Sequence, residues 1–90
     1  MAYCHLNSNG TTQVTAASCR LKSVTINTKG ASANTVTLVE GTIANVNTAP
    51  TICVIDTTSS VATLEFNTWV QAITAVMATG TAGDVTVTTE

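Results

Sequence analysis

Residues 19–28, CRLKSVTINT, set Val24 and Ile26 against Ser23, Thr25 and Asn27. Strict alternation of this kind marks a strand with one buried face. Leu21 is out of phase with Val24 and reaches the same face only if a bulge intervenes. Residues 35–41, TVTLVEG, repeat the pattern, with Val36 and Leu38 on one face and Gly41 as the stop. Residues 50–56, PTICVID, put Ile52 and Val54 on one face and Cys53 and Ile55 on the other, as a strand covered on both sides would. In residues 61–68, Ala62, Leu64 and Phe66 share a face opposite Thr63 and Glu65. The closing stretch alternates Val85 and Val87 with Thr86 and Thr88.

Turn signals separate these runs. Residues 7–12 contain Asn9-Gly10, a pair that readily takes positive φ. Residues 29–34, 57–60 and 79–84 read as loops and turns. A first strand is expected at 12–18, and 42–49 reads as a weak strand or a loop. Residues 69–78 fit two templates. Trp69, Ala72, Ile73, Val76 and Met77 fall at helical spacing, whereas alternation sets Val70, Ala72, Thr74 and Val76 against Gln71, Ile73, Ala75 and Met77. The β character of the surroundings favours the strand. Seven or eight short strands result, the pattern of an all-β antiparallel β-sandwich or jelly roll. Residues 13–90 are expected to form one sandwich domain. Residues 1–12 are expected to form a polar N-terminal arm, with Tyr3, His5 and Leu6 as candidate contacts to a partner.

Composition strengthens the β reading. Thr, Val and Ile supply 36 of the 90 residues, and β-branched side chains suit a pleated surface. Charged residues are 9% of the chain and the net charge is −2. Three basic residues, Arg20, Lys22 and Lys29, are too few to neutralise a phosphate backbone, so nucleic acid is not an expected partner. No stretch approaches the apolar length of a membrane span, and the first ten residues lack the form of a signal peptide. Synthesis in the cytoplasm, with Cys4, Cys19 and Cys53 as reduced thiols, is the corresponding expectation.

Candidate chemistry is sparse. His5 is the single histidine, and with Cys4, Cys19 and Cys53 it matches no zinc-ligand spacing. Glu40, Asp56, Glu65, Asp84 and Glu90 stand singly, with Asp56 and Asp84 placed as turn formers. No nucleophile elbow or phosphate loop is present. The expectation is a protein that is not an enzyme and that uses no cofactor and no metal. Asn9-Gly10-Thr11 has the form of a glycosylation acceptor. Trp69 is expected in the core, its alternative being a sugar-stacking surface residue.

Thr- and Val-rich strands expose unpaired backbone at sheet edges, and one Pro and two Lys give little edge protection. The closing strand, with one charge at its start, suggests an edge covered by other subunits, hence an oligomer or a component of an assembly.

Four blocks add a resemblance. Leu21, Val24, Ile26 and Asn27 form L-x-x-V-x-I-N. Val36, Thr37, Leu38, Glu40 and Gly41 form a V-T-L-x-E-G block. Ile52, Ile55 and Asp56 form a third, and Gly80, Val85, Thr86 and Val87 close the series. Over residues 19–90 this order resembles small β-sandwich virion structural proteins of tailed bacteriophages. Val39 stands where those chains usually carry an aromatic residue. The resemblance implies a capsid decoration (cement) protein, typically a homotrimer, that binds and stabilises the shell of the major capsid protein. A head-fibre base, head–tail joining piece or tail module is the alternative within the same class. A carbohydrate- or receptor-binding sandwich is the alternative outside it, and would require Trp69 or Tyr3 exposed in a concave site.

Overall fold

The computed structural model of the chain describes residues 2–59 and 61–90. Eight strands follow in order: β1 (Ala2–Leu6), β2 (Gly10–Thr15), β3 (Cys19–Thr28), β4 (Thr35–Val39), β5 (Thr51–Asp56), β6 (Thr63–Val70), β7 (Ile73–Ala78) and β8 (Asp84–Thr89). A single 3₁₀ turn, Ile43–Asn45, lies between β4 and β5. The strands form two antiparallel sheets ordered β1-β8-β3-β6 and β2-β7-β4-β5. Four pairs are nested, β4 with β5, β3 with β6, β2 with β7 and β1 with β8, which is the pairing of a jelly roll. The sandwich expected from alternation is therefore the fold, and residues 69–78 are not a helix: Trp69 and Val70 end β6, Gln71 and Ala72 break the strand, and β7 starts at Ile73.

The core lies between the sheets. Leu21, Val24, Ile26, Val85 and Val87 from one sheet meet Val36, Leu38, Ile55, Ile73, Ala75 and Met77 from the other, all buried. Val85, Val87 and Thr89 face inward while Thr86 and Thr88 face outward, so the period-2 pattern maps directly onto the two faces of β8. Leu21 and Val24 share the inner face because β3 carries an extra residue between the positions opposite Thr89 and Thr88. That bulge at Lys22 is the one the phase of Leu21 required.

Three expectations are corrected. The described part of the expected 1–12 arm, residues 2–12, is not separate: residues 2–6 are β1, paired along its length with β8, and β2 already begins at Gly10. Leu6 turns inward opposite Val85 and is 4% exposed, so it anchors β1 to the core and is not a surface contact. The closing strand is not an edge either. β8 lies between β1 and β3, and the edges belong to β1, β6, β2 and β5.

One end of the sandwich is tied by a buried side chain. Asn34 is fully buried in the β3–β4 loop. Its Nδ2 donates to Asn9 Oδ1 (2.9 Å) and Thr79 O (2.8 Å), and its Oδ1 accepts from Thr57 Oγ1 (2.6 Å) and Gly83 N (3.2 Å). One amide thus joins the four loops that gather at this end. The fit there depends on Gly80, which has φ +58 and no room for a Cβ beside the carbonyls of Ala31 and Ser32.

Candidate functional site: an open sheet face

The outer faces of the two sheets differ. On the β2-β7-β4-β5 sheet, the β4–β5 connection folds back over one end. Thr74 Oγ1 donates to Gly41 O (2.7 Å) and the Ile43 amide donates to Gln13 Oε1 (3.0 Å), leaving Val39 and Thr74 buried on what would otherwise be the solvent side. No comparable segment crosses the other sheet among the described residues.

Register places the side chains of that open face in rows. Tyr3 on β1, Thr88 on β8, Ser23 on β3 and Glu65 on β6 form one row. His5, Thr86, Thr25 and Thr63 form the next. Trp69 pairs with Arg20 beyond the first row, and the Arg20 backbone exchanges two hydrogen bonds with Glu90. Val70 and Cys19 are an inward pair, so Trp69, one residue earlier, must point out. It is 70% exposed, which corrects its expected place in the core. Tyr3 is 76% exposed. Two of the chain's three aromatic residues therefore stand on one outer face, at its opposite edges.

Apart from Glu65, which stands exposed in the first row with no charged partner among the described residues, the charged groups here are spent on one another. Arg20 Nη2 donates to Glu90 Oε1, Lys22 Nζ lies 3.9 Å from Glu90 Oε2, and the Arg20 guanidinium sits 5.7 Å from the centre of the Trp69 ring. At the other end His5 Nε2 donates to Asp84 Oδ1, which also accepts from Asn27 Nδ2 (3.3 Å). The His5 hydrogen bond, helped by Asn27, holds the Asp84 carboxyl below its ordinary pKa. Arg20, with Lys22 beyond it, does the same for Glu90. A carboxylate with a depressed folded pKa adds stability that is complete above its unfolded value, about 4. That stability is lost as pH falls through the folded value. Melting temperature should therefore decline on acidification from pH 5 toward pH 2 (about the range over which such groups protonate). In a D84N/E90Q variant the neutral-pH value should be lower and the decline shallower. An unchanged slope would show that neither carboxylate is linked to folding.

The sequence-level metal candidates are not brought together. His5 points outward on β1 while Cys4 faces the core; Cys19 is buried at the start of β3, and Cys53 lies on β5 in the other sheet. Burial pushes all three thiols up, which keeps them protonated and poorly reactive. No group of three His, Cys, Asp or Glu side chains converges among the described residues. Asp56 caps its own turn, accepting from the Thr58 hydroxyl (2.6 Å) and amide (2.8 Å), and these bonds lower its pKa. In the glycosylation-like triplet, the Asn9 amide is already engaged, donating to Gly80 O (3.0 Å) and accepting from Asn34.

Reading by alternation missed two functional-scale features: the exposure of Trp69 and the role of Asn34. Counting back from Val70 as an inward residue would have found the first. The second carries no local signal, because Asn in a Gly-, Ala- and Ser-rich loop looks like any turn former.

Compared with protein-family models, curated protein sequences and solved structures, the chain matches none of them.

Proposed function

We propose that this chain is a structural protein of a tailed-phage particle, acting as a capsid decoration protein that binds the major capsid protein shell as a homotrimer. The observation that carries the reading is the grouping of three exposed aliphatic side chains, with Ile43 exposed apart from them in the 3₁₀ turn. Val54, Val61 and Leu64 all belong to β5, β6 or the connection between them, the side where two sheet edges also lie open. Exposed apolar groups beside unpaired strand edges favour a protein neighbour. The scarcity of long charged side chains fits this role, because docking then costs little side-chain entropy and little desolvation. A trimer would present three copies of this side at once, so that release requires all three contacts to break together.

The test uses purified chain and undecorated shells of the phage that encodes it. Light scattering should give a mass near three times 9.2 kDa. The protein should co-sediment with shells and raise the temperature at which they rupture. A V54E/V61E variant should fold as the parent does, because both side chains are solvent-exposed, but should fail to co-sediment. A monomer that ignores shells would overturn the reading, and one that attaches to tails would move it to the tail-module alternative.

A further inference from the structure

We propose that Asn9 is a self-modification site: the Gly10 amide nitrogen converts its side chain to an aspartyl or isoaspartyl group, and the conversion unties the β1–β2 turn from Gly80. The inference is independent of the docking role and uses none of its residues. The chemistry needs only water. The deprotonated backbone nitrogen of Gly10 attacks Asn9 Cγ, the Cγ–Nδ2 bond breaks and ammonia leaves, closing a succinimide ring. Water then opens the ring at either carbonyl. One opening gives aspartate; the other reroutes the backbone through Cγ and gives isoaspartate.

Sequence and structure both select this asparagine. A branched side chain on the following residue crowds the attacking nitrogen, and glycine does not. Of the seven asparagines, five precede Thr or Val, Asn7 precedes Ser8, and Asn9 alone precedes glycine. Gly10 has φ +143, a conformation that other residues rarely adopt, so the turn itself requires glycine at the position that makes Asn9 reactive. Asn9 and Gly10 are exposed. Among the described residues, nothing beyond the chain neighbours lies within 4 Å of where a Cβ on Gly10 would stand, so ring closure meets no packed wall. Negative charge gathers on Asn9 Oδ1 as the nitrogen adds. That oxygen already accepts from Nδ2 of the buried Asn34 (2.9 Å), a donor held in place before the reaction begins.

The leaving group is also a structural group. Asn9 Nδ2 donates to Gly80 O (3.0 Å). A carboxylate has no proton to give, so after conversion an oxygen faces that carbonyl and the bond is lost. The bond from Asn34 survives, because a carboxylate oxygen still accepts it. Isoaspartate in addition lengthens the backbone of the turn, and either product adds one negative charge to a net charge of −2.

The test incubates the purified folded protein at mildly alkaline pH and follows it by anion exchange and peptide mapping. Asn9 should convert before any other asparagine, with release of ammonia, to a mixture of aspartyl and isoaspartyl forms. N9Q, whose longer side chain would have to close a larger ring, should show no conversion at this position. The converted fraction and the N9D variant should both melt about 4–8 °C below the parent, the shift expected for one hydrogen bond in a domain of this length. Earlier conversion at another asparagine overturns the proposal. So does conversion of Asn9 more than about a hundredfold slower than in the same chain unfolded in guanidinium, since the turn would then stay closed to the reaction. Converted protein and N9D that both melt with the parent would show that the Asn9 amide ties nothing, and the proposal fails there too.

Discussion

Removal of residues 84–90 should leave a chain that no longer folds cooperatively. β8 is the only partner of β1 and one of two partners of β3. Without it, β1 has nothing to pair with, and Leu6 loses the Val85 position it packs beside. Val85 and Val87, both fully buried, are lost outright. Burial of one such side chain contributes about 1.5–3 kcal/mol. The facing residues Ile73, Ala75 and Met77 would then be opened to water. Domains of this length stand toward the lower end of the usual 5–15 kcal/mol or so of stability, so the combined loss exceeds what the fold can bear. Circular dichroism should show no sharp thermal transition, and the product should be largely insoluble. A soluble truncation with a sharp melt would mean that β8 is dispensable and that the sheet order is wrong.

The second large effect is expected at Asn34. N34A removes an acceptor from the Thr57 hydroxyl and the Gly83 amide, and a donor from Thr79 O and Asn9. Each buried polar group left unpaired costs about 1–3 kcal/mol, although Thr57 Oγ1 retains a bond to Asn34 O (3.2 Å). A total near 3 kcal/mol follows, or a fall in melting temperature of about 12–24 °C for a domain of this size. T57V should cost less alone, and the double variant should lose less than the sum, because both changes dismantle one network. A melting temperature for N34A within a few degrees of the parent, or strict additivity with T57V, would show that the amide is not the tie between these loops.

Alternation located most of the strands because in a sandwich it is burial itself that has period two. β3 and β8 were readable in this way, and the phase slip at Leu21 even announced its bulge. β1 was not readable. As an edge strand it buries one strongly apolar residue, Leu6, so its sequence resembles a solvated arm. Trp69 was misplaced because size and apolarity suggest a core residue, while its direction depends on Val70 and on the end of β6. The open face was legible only in part. Its residues were visible, but their rows depend on pairings between strands as distant in sequence as β1 and β8. Asn34 was hidden for a similar reason, since its partners come from residues 9, 57, 79 and 83.

The nesting of the four pairs also dictates when the protein can form during its synthesis. The innermost pair, β4 with β5, joins neighbours in the chain, whereas the outermost joins Ala2 to Thr89. Each outer pair closes a longer loop than the one inside it and bears a larger entropic cost. Assembly should therefore proceed outward from the β4–β5 hairpin. β1, made before any other strand of the sandwich, is among the last to find its place. A nascent chain that has not yet extended through β8 has an unfinished sheet, and β1 and β3 wait with exposed edges. Such a domain completes its fold only once β8 is made, slowly for its size, as non-local pairings require, and in the interval it is open to capture by neighbouring chains.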